Sequence, residues 1–221
     1  MNITDLPSPN FNDRKTPIRF VVLHYTGMET GQAAIDRLRD PDAGVSAHYV
    51  VEEDGNVLRL VPEEKRAWHA GVGEWCGQTD MNSASIGIEI VNGGHDFGLP
   101  DYPDAQIAAV IELVQDILER HDLPPSAVIG HSDLAPARKQ DPGEKFPWRR
   151  LADVGAAIWP SLIDEESDDI EGDLKKIGYG FSAGLPAVIE AFQRRFRPAA
   201  VTGEADDETR RLIRAVAAVS S

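Results

Sequence analysis

Two short apolar runs, far apart in the chain, are each completed or followed by a histidine, and they constrain the fold more than any other feature. Residues 18–24 form a run rich in β-branched side chains that ends at His24, which is typical of a strand buried on both faces. The second run, residues 127–130, is followed directly by His131. Side chains at strand ends border loops, where functional sites are held on a rigid scaffold. The sequence therefore predicts a covered sheet with both imidazoles at strand ends.

The remaining patterns predict an α/β fold with a mixed central β-sheet flanked by helices. Residues 46–53 and 57–61 flank Asp54-Gly55-Asn56, which is a hairpin signal, and residues 86–91 predict a further strand. Apolar residues between positions 107 and 118 recur at helical spacing. A hairpin among strands that are joined by helices indicates a sheet that is not purely parallel.

A block of seven acidic residues, at positions 161–173, divides the chain after Trp159-Pro160. Apolar residues at 170, 174 and 177 have helical spacing, and acidic residues favour a helix N-terminus, so part of this block is expected to open a helix. Helical patterns interrupted near Gly180 and Pro198 then predict a small three-helix unit. We therefore expect one domain at residues 1–160 and a second, with the acidic linker, at residues 161–221.

The composition excludes several classes of protein. With 22 Lys and Arg against 37 Asp and Glu, the net charge of −15 argues against a nucleic-acid partner, because such binding depends on neutralising phosphates. Cys76 is the single cysteine, so an intramolecular disulfide and a Cys-rich zinc site are excluded. No apolar run approaches the roughly 20 residues that span a bilayer, so no integral membrane segment is expected. Any metal must be bound by histidine and carboxylate.

The two strand-end histidines and one acidic turn form a candidate metal site. Asp141 follows His131 by ten residues and lies in the Pro- and Gly-bounded turn 139–143. Two neutral imidazoles and one carboxylate suit zinc and leave a fourth position for water. The spacing alone leaves a second interpretation open, in which each histidine is a hydrogen-bonded structural residue. His95 and His121 are interpreted as structural or solvent-exposed.

Five motifs that include these residues occur in a fixed order along residues 18–160. Together they resemble the zinc-dependent N-acetylmuramoyl-L-alanine amidases of the AmpD and AmiD group. Downstream, residues 191–198 and 203–209 are similar to the three-helix peptidoglycan-binding domain that AmiD-like amidases carry at the C-terminus. The five motifs are Leu23-His24-Tyr25-Thr26, Val45-Ser46-Ala47-His48-Tyr49, Arg66-Ala67-Trp68-His69-Ala70-Gly71, Ser85-Ile86-Gly87-Ile88-Glu89-Ile90 and the segment from Gly130-His131-Ser132-Asp133 to Lys139-Gln140-Asp141-Pro142-Gly143.

The resemblance implies a role for each matching residue. His24, His131 and Asp141 would bind Zn²⁺, Glu89 would be the general base, and Lys139 would face the reacting centre. Whether Glu89 or Lys139 protonates the leaving amine stays open. Further positions expected around the substrate cleft, with structural hydrogen bonding as the alternative for His48 and His69, are Tyr25, His48, Arg66, Trp68, His69, Asn92 and Arg138.

The resemblance also implies the reaction. It is hydrolysis of the amide bond between N-acetylmuramic acid, or its anhydro form, and L-alanine of the stem peptide; a non-catalytic peptidoglycan-recognition protein is the alternative. Expected partners are peptidoglycan fragments or the sacculus, and the oligomeric state is open. The polar start of the sequence predicts a cytoplasmic location, while export of AmiD-like relatives makes a periplasmic location the alternative. Whether the C-terminal unit binds glycan or only shapes the cleft is also open.

Overall fold

A central mixed β-sheet is the frame of the molecule in the computed structural model, which describes residues 2–220. Its six strands lie in the order β1-β5-β4-β7-β3-β8, and β2 pairs with β6 in a separate antiparallel ribbon. Within the six-stranded sheet, β4 and β5 are antiparallel and the other neighbouring strands are parallel. The predicted mixed α/β sheet is confirmed. The strands are β1 (Ile3–Asp5), β2 (Phe11–Asp13), β3 (Phe20–Tyr25), β4 (Tyr49–Val51), β5 (Val57–Arg59), β6 (Lys65–Ala67), β7 (Ser85–Ile90) and β8 (Val128–Gly130).

Helices cover both faces of this sheet, which explains the continuous apolar sequence of β3. Val21 and Leu23 belong to an apolar cluster with the buried side of α3, whereas Val22 belongs to a second cluster with α7 and α8. Alternate residues of a strand point to opposite faces, so each face of β3 needs apolar side chains. The α-helices are α1 (Gly31–Arg39), α2 (Met81–Ala84), α3 (Asp104–Arg120), α4 (His131–Leu134), α5 (Trp148–Ala152), α6 (Ile170–Ile177), α7 (Leu185–Phe196) and α8 (Asp207–Val219).

The predicted hairpin joins β4 to β5, with Val51 opposite Val57. Gly55 in its turn has a φ of +87°, and a Cβ at this position would lie 2.8 Å from the carbonyl oxygen of Ala105 in α3. Both the positive φ and the close approach require glycine. The turn therefore packs directly against the start of α3.

The three predicted C-terminal helices are α6, α7 and α8. The acidic block contributes the first cap: Asp169 accepts a hydrogen bond from the backbone N–H of Gly172 at 3.0 Å, and α6 begins at the next residue. Phe192 and Val216 of this unit lie in the same apolar cluster as Val22 and Ile129 of the sheet. The C-terminal helices are thus packed directly onto the sheet. Within residues 2–220, none of the helices combines the length and apolar character needed to span a bilayer.

Candidate metal centre

The register of three parallel strands brings the site together at one edge of the sheet. His24 of β3 pairs with Glu89 of β7, and Leu23 pairs with Gly130 of β8, so His131 follows directly at the start of α4. Gly130 packs against the residue after Asp141, since a Cβ here would lie 2.9 Å from Pro142 Cδ. The backbone N–H of Ser132 donates to the carbonyl oxygen of Asp141 at 2.9 Å. The acidic turn is thereby held against the two strand ends.

Three buried side chains place one atom each at the corners of a small triangle. The Nδ1 atoms of His24 and His131 are 2.9 Å apart, and Asp141 Oδ2 lies 2.9 Å from the first and 3.0 Å from the second. All three residues are buried, at 1%, 3% and 5% exposure. Ligands about 2.0–2.1 Å from a tetrahedral zinc ion lie roughly 3.3 Å from one another, so the triangle is close to that size.

The hydrogen bonds made by the two Nε2 atoms determine whether the Nδ1 atoms that form the triangle carry a proton. His131 Nε2 donates to the carbonyl oxygen of Ala70 at 2.8 Å, which leaves its Nδ1 without a proton in the neutral ring. His24 Nε2 lies 3.0 Å from His69 Nδ1, and His69 Nε2 lies 3.4 Å from Ser85 Oγ. Donation from His24 to His69, and from His69 to Ser85, leaves the Nδ1 of His24 unprotonated as well. Such outer hydrogen bonds are typical of metal-binding histidines.

The triangle therefore consists of two imidazole lone pairs and one carboxylate oxygen, all of them acceptors. Burial and the neighbouring His131 lower the pKa of His24 to about 4, so this ring is neutral at pH 7. Three acceptors at hydrogen-bond distance with no proton between them fit a bound cation. Among residues 2–220, His24, His131 and Asp141 form a group that could hold a metal ion.

Glu89 supplies a second carboxyl beside this triangle. Its Oε2 is inaccessible to solvent and has no hydrogen-bond partner among residues 2–220. Burial raises the pKa of Glu89 well above its usual value, the charge of Asp141 raises it further, and Lys139 lowers it. A raised pKa makes the ionised Glu89 carboxylate a stronger base than that of an exposed glutamate.

The triangle and Glu89 open into a cavity of about 830 Å³, a size usual for small-molecule sites. Lys139 lines this cavity, and none of the described carboxylates forms a salt bridge with it. Arg138 donates to the carbonyl oxygens of Ala70 and Val72, at 2.8 and 2.6 Å. The sequence-predicted residues that line the cavity are His24, Tyr25, Trp68, His69, Glu89, His131, Arg138, Lys139 and Asp141.

Three predicted cleft residues do not line this cavity. His48 is fully buried, and its Nδ1 accepts the backbone N–H of Gly87 at 2.9 Å. Arg66 forms a salt bridge with Asp80 at 3.0 Å. The Asn92 side-chain amide donates to the Pro100 carbonyl oxygen at 2.9 Å. These contacts give each of the three a structural role, and substrate contact by them stays a prediction.

Other residues reach the cavity that sequence reasoning did not single out. His95 lines it, although its loop position suggested a structural or exposed residue. Ala187, Glu190 and Arg194 of α7 form part of the wall, and Arg37 of α1 contributes from another side. The glycine pair before His95 was the single local signal for a tight loop near the site. The contribution of α7 follows from helix packing, which no local sequence pattern predicts.

A mixed α/β sheet that carries two histidines, a carboxylate and a neighbouring glutamate in one cleft is suited to the chemistry of a metal-dependent hydrolase. The family model described as N-acetylmuramoyl-L-alanine amidase matches residues 14–144, and the chain belongs to this family. The family inferred from the five motifs is thus confirmed.

Individual relatives extend the match beyond the amidase segment. The N-acetylmuramoyl-L-alanine amidase AmiD of Escherichia coli is 34% identical over 90% of this chain and 82% of its own length. Its structure in complex with anhydro-N-acetylmuramic acid-L-Ala-D-γ-Glu-L-Lys superposes with a TM-score of 0.80, covering 90% of this chain and 88% of that chain. The structure of AmpDh3 from Pseudomonas aeruginosa superposes with a TM-score of 0.81 at 34% identity, covering 90% of this chain and 91% of that chain.

The 1,6-anhydro-N-acetylmuramyl-L-alanine amidase AmpD of Escherichia coli is 36% identical over 66% of this chain and 88% of its own length. The chain is therefore similar to AmpD over a smaller part of its length than to AmiD. These relatives confirm the interpretation as an amidase over that of a non-catalytic binding protein.

Proposed function

We propose that this protein is a zinc-dependent hydrolase that cleaves the amide bond between N-acetylmuramic acid, or its anhydro form, and L-alanine of the stem peptide. The observation that carries this proposal is the buried triangle of three acceptor atoms on His24, His131 and Asp141. A cation satisfies all three at once, and the composition of the set favours zinc. The open side of the triangle faces the cavity.

His24, His131 and Asp141 would hold the zinc ion through Nδ1, Nδ1 and Oδ2. When bound, zinc supplies Lewis-acid activation of the amide carbonyl and acidifies a water molecule. The outer hydrogen bonds to Ala70 and His69 keep both imidazoles in the tautomer that presents a lone pair inward. The chain therefore enters the reaction with its ligands already oriented.

Glu89 would take the proton of the attacking water, because burial raises its pKa and so makes its carboxylate a stronger base, and because its Oε2 has no hydrogen-bond partner among residues 2–220. Lys139 would offset the negative charge that develops on the amide oxygen, because it lines the same cavity as Asp141. Either residue could deliver a proton to the leaving amine. Tyr25, Trp68 and the remaining cavity-lining predictions would contact the sugar or the peptide.

Anhydro-muropeptides are the first substrate to test, because structures of AmiD and AmpDh3 contain anhydromuramyl peptides. Intact sacculi are the second, since the similarity to AmiD covers 90% of this chain and so extends beyond the amidase segment. The cytoplasmic location and the glycan-binding role of residues 161–221 stay predictions. Fractionation of the source cells would identify the compartment.

The decisive assay is mass spectrometry of products from both substrates. The proposal predicts a free stem peptide that begins with L-alanine and a peptide-free sugar, and it predicts loss of both after chelation. Recovery on addition of zinc identifies the metal. Cleavage at a different bond, or undiminished cleavage by protein without bound metal, would contradict it. Asp141→Ala is the matched control for contaminating amidases.

A further inference from the structure

A chain of hydrogen bonds runs from helix α7 of the C-terminal unit to the wall of the cleft. Arg194 Nε donates to Glu144 Oε1 at 3.1 Å, and the other oxygen of Glu144 lies 2.8 Å from His95 Nε2. His95 Nδ1 in turn lies 2.9 Å from the Tyr25 hydroxyl oxygen. Three of these residues, Tyr25, His95 and Arg194, line the cavity. Tyr25 directly follows the ligand His24 in β3.

The chemistry of Glu144 sets the direction of every hydrogen bond in this chain. Burial alone would raise the pKa of Glu144, but hydrogen bonds from its own backbone N–H and from His95 lower it, so the group is an ionised acceptor. His95 Nε2 must then donate to Glu144, which leaves Nδ1 as the acceptor in a neutral ring. The Tyr25 hydroxyl therefore donates to His95. Its proton points at His95, and its oxygen, which accepts a hydrogen bond from the backbone N–H of His95, keeps one lone pair for another donor.

Packing holds the Tyr25 ring in this position. Gly94 has a φ of +65°, and a Cβ there would lie 2.5 Å from the ring, so the loop backbone contacts the ring closely. The same loop carries His95. Arg194 is only 5% exposed, which fixes the other end of the chain within the packed interior of the molecule.

We propose that Arg194 and Glu144 are positioning residues that, through His95, hold the Tyr25 hydroxyl oxygen as a hydrogen-bond acceptor for the muropeptide. The group it recognises is a donor, either an amide N–H or a sugar hydroxyl. This inference rests on the proposed function for its ligand. It gives the C-terminal helix α7 an indirect part in substrate binding, through Glu144 and His95.

The kinetic test is a double-mutant cycle in the zinc-loaded full chain, with anhydro-muropeptide as substrate. Tyr25→Phe should raise KM about 5- to 10-fold with kcat within about twofold, because a neutral hydrogen bond to bound substrate is lost. Arg194→Gln should raise KM about threefold. The double variant should match Tyr25→Phe alone, since Arg194 acts through Tyr25. Arg194→Lys should restore most of the loss because it can again pair with Glu144.

Arg214→Gln is the matched control. Arg214 pairs with Glu165 at 3.0 Å and does not line the cavity, so its loss should leave KM unchanged. Additive effects of Tyr25→Phe and Arg194→Gln, or a wild-type KM in Tyr25→Phe, would overturn the proposal. A merely structural role for Arg194 would lower stability and add to the effect of Tyr25→Phe.

A substrate-free readout separates this proposal from the proposed function. Nitrogen-15 NMR of the His95 ring should show a protonated Nε2 and an acceptor Nδ1 in the wild type, and a mixed or reversed pattern in Glu144→Gln. A wild type with Nδ1 protonated would overturn the hydrogen-bond chain even if the enzyme is active. An inactive wild type with the expected ring pattern would instead overturn the proposed function and with it the substrate contact.

Discussion

Two buried aspartates that lie close together in the sequence have opposite surroundings. Asp133 in α4 accepts hydrogen bonds from the Tyr179 hydroxyl at 2.7 Å, the backbone N–H of Gly130 at 2.8 Å and Arg195 Nη1 at 3.0 Å. Asp141 meets two histidine nitrogens that are acceptors. Burial without hydrogen bonds is costly for any carboxylate. The hydrogen bonds of Asp133 are therefore satisfied within the protein, whereas Asp141 would be satisfied by the proposed zinc ion.

This difference distinguishes a structural cluster, formed by Asp133 with Tyr179, Gly130 and Arg195, from the functional group around Asp141. Arg195 balances the charge of Asp133, donates to the Val128 carbonyl oxygen and stacks on Trp148 at 4.1 Å from the ring centroid. No described cation of the chain balances Asp141 in the same way. Asp133 follows His131 by two residues, so the structural cluster also holds the helix that carries one metal ligand.

Removal of Asp141 should have the largest effect on activity. Asp141→Ala should lower amide turnover about 10³- to 10⁴-fold, because both the metal and its activated water are lost. Zinc content by elemental analysis should fall with turnover while circular dichroism stays that of a folded protein. Unchanged turnover in Asp141→Ala would exclude a role as ligand and remove the contrast with Asp133.

Glu89 extends the comparison to a third carboxyl, whose Oε2 has no hydrogen-bond partner within the described part of the chain. Glu89→Gln should lower kcat about 10³-fold through loss of the general base. Zinc content should stay at the wild-type value, since Glu89 is outside the triangle. Parallel loss of zinc and kcat in Glu89→Gln would place this residue among the ligands instead.

The structural cluster should respond in stability rather than in chemistry. Arg195→Met should lower the free energy of unfolding by about 3 kcal/mol, because it leaves the charge of Asp133 buried without its partner. Zinc bound per folded molecule should be unchanged. Denaturant titration and elemental analysis of the same sample measure both. Wild-type stability in Arg195→Met would show that Tyr179 and Gly130 alone satisfy Asp133.

How much of this could be predicted from the sequence depends on the kind of residue. The apolar runs of β3, β7 and β8 predicted the centre of the sheet, because a strand buried on both faces has few alternatives. The edge strands β1, β2 and β6 are three residues each and carry no alternating pattern. Their pairing depends on neighbours brought together by the fold, so these strands carry no local sequence signal.

The residues of the site divide in the same way, into those that a sequence motif identifies and those that only packing brings together. His24, His131 and Asp141 were recognised by motif, and the structure brings their ligand atoms together. Arg194 and Glu144 look in the sequence like ordinary surface charges of a helix and a loop. Their contact depends on how α7 packs on the sheet, and His95 gains its place in the cleft by the same packing. Long-range contacts of charged side chains have no periodic signal that would reveal them.

The smallest predicted effect is on how the free energy of unfolding depends on pH. It comes from His48, a buried histidine outside the triangle. Burial and the nearby Arg14 lower the pKa of His48 to about 3. Its unfolded-state pKa is about 6.5, so its stabilising contribution is complete above that pH and is lost as pH falls towards 3. The slope should be about 1.4 kcal/mol per pH unit between these limits.

Unfolding free energies of the wild type and His48→Gln, measured from pH 6.5 down to pH 5, test this prediction. The wild type should lose more stability than the variant over this range, since the variant lacks the titrating ring. Equal slopes in the two proteins would show that His48 keeps an ordinary pKa when folded.

The most direct test of the zinc-centred account is a zinc titration of metal-free protein, followed by release of stem peptide from anhydro-muropeptide. Activity should be absent without metal, rise in proportion to added zinc and level off at one zinc ion per chain. Asp141→Ala should stay inactive throughout the same titration. Full activity in wild-type protein shown by elemental analysis to contain no metal would contradict the account.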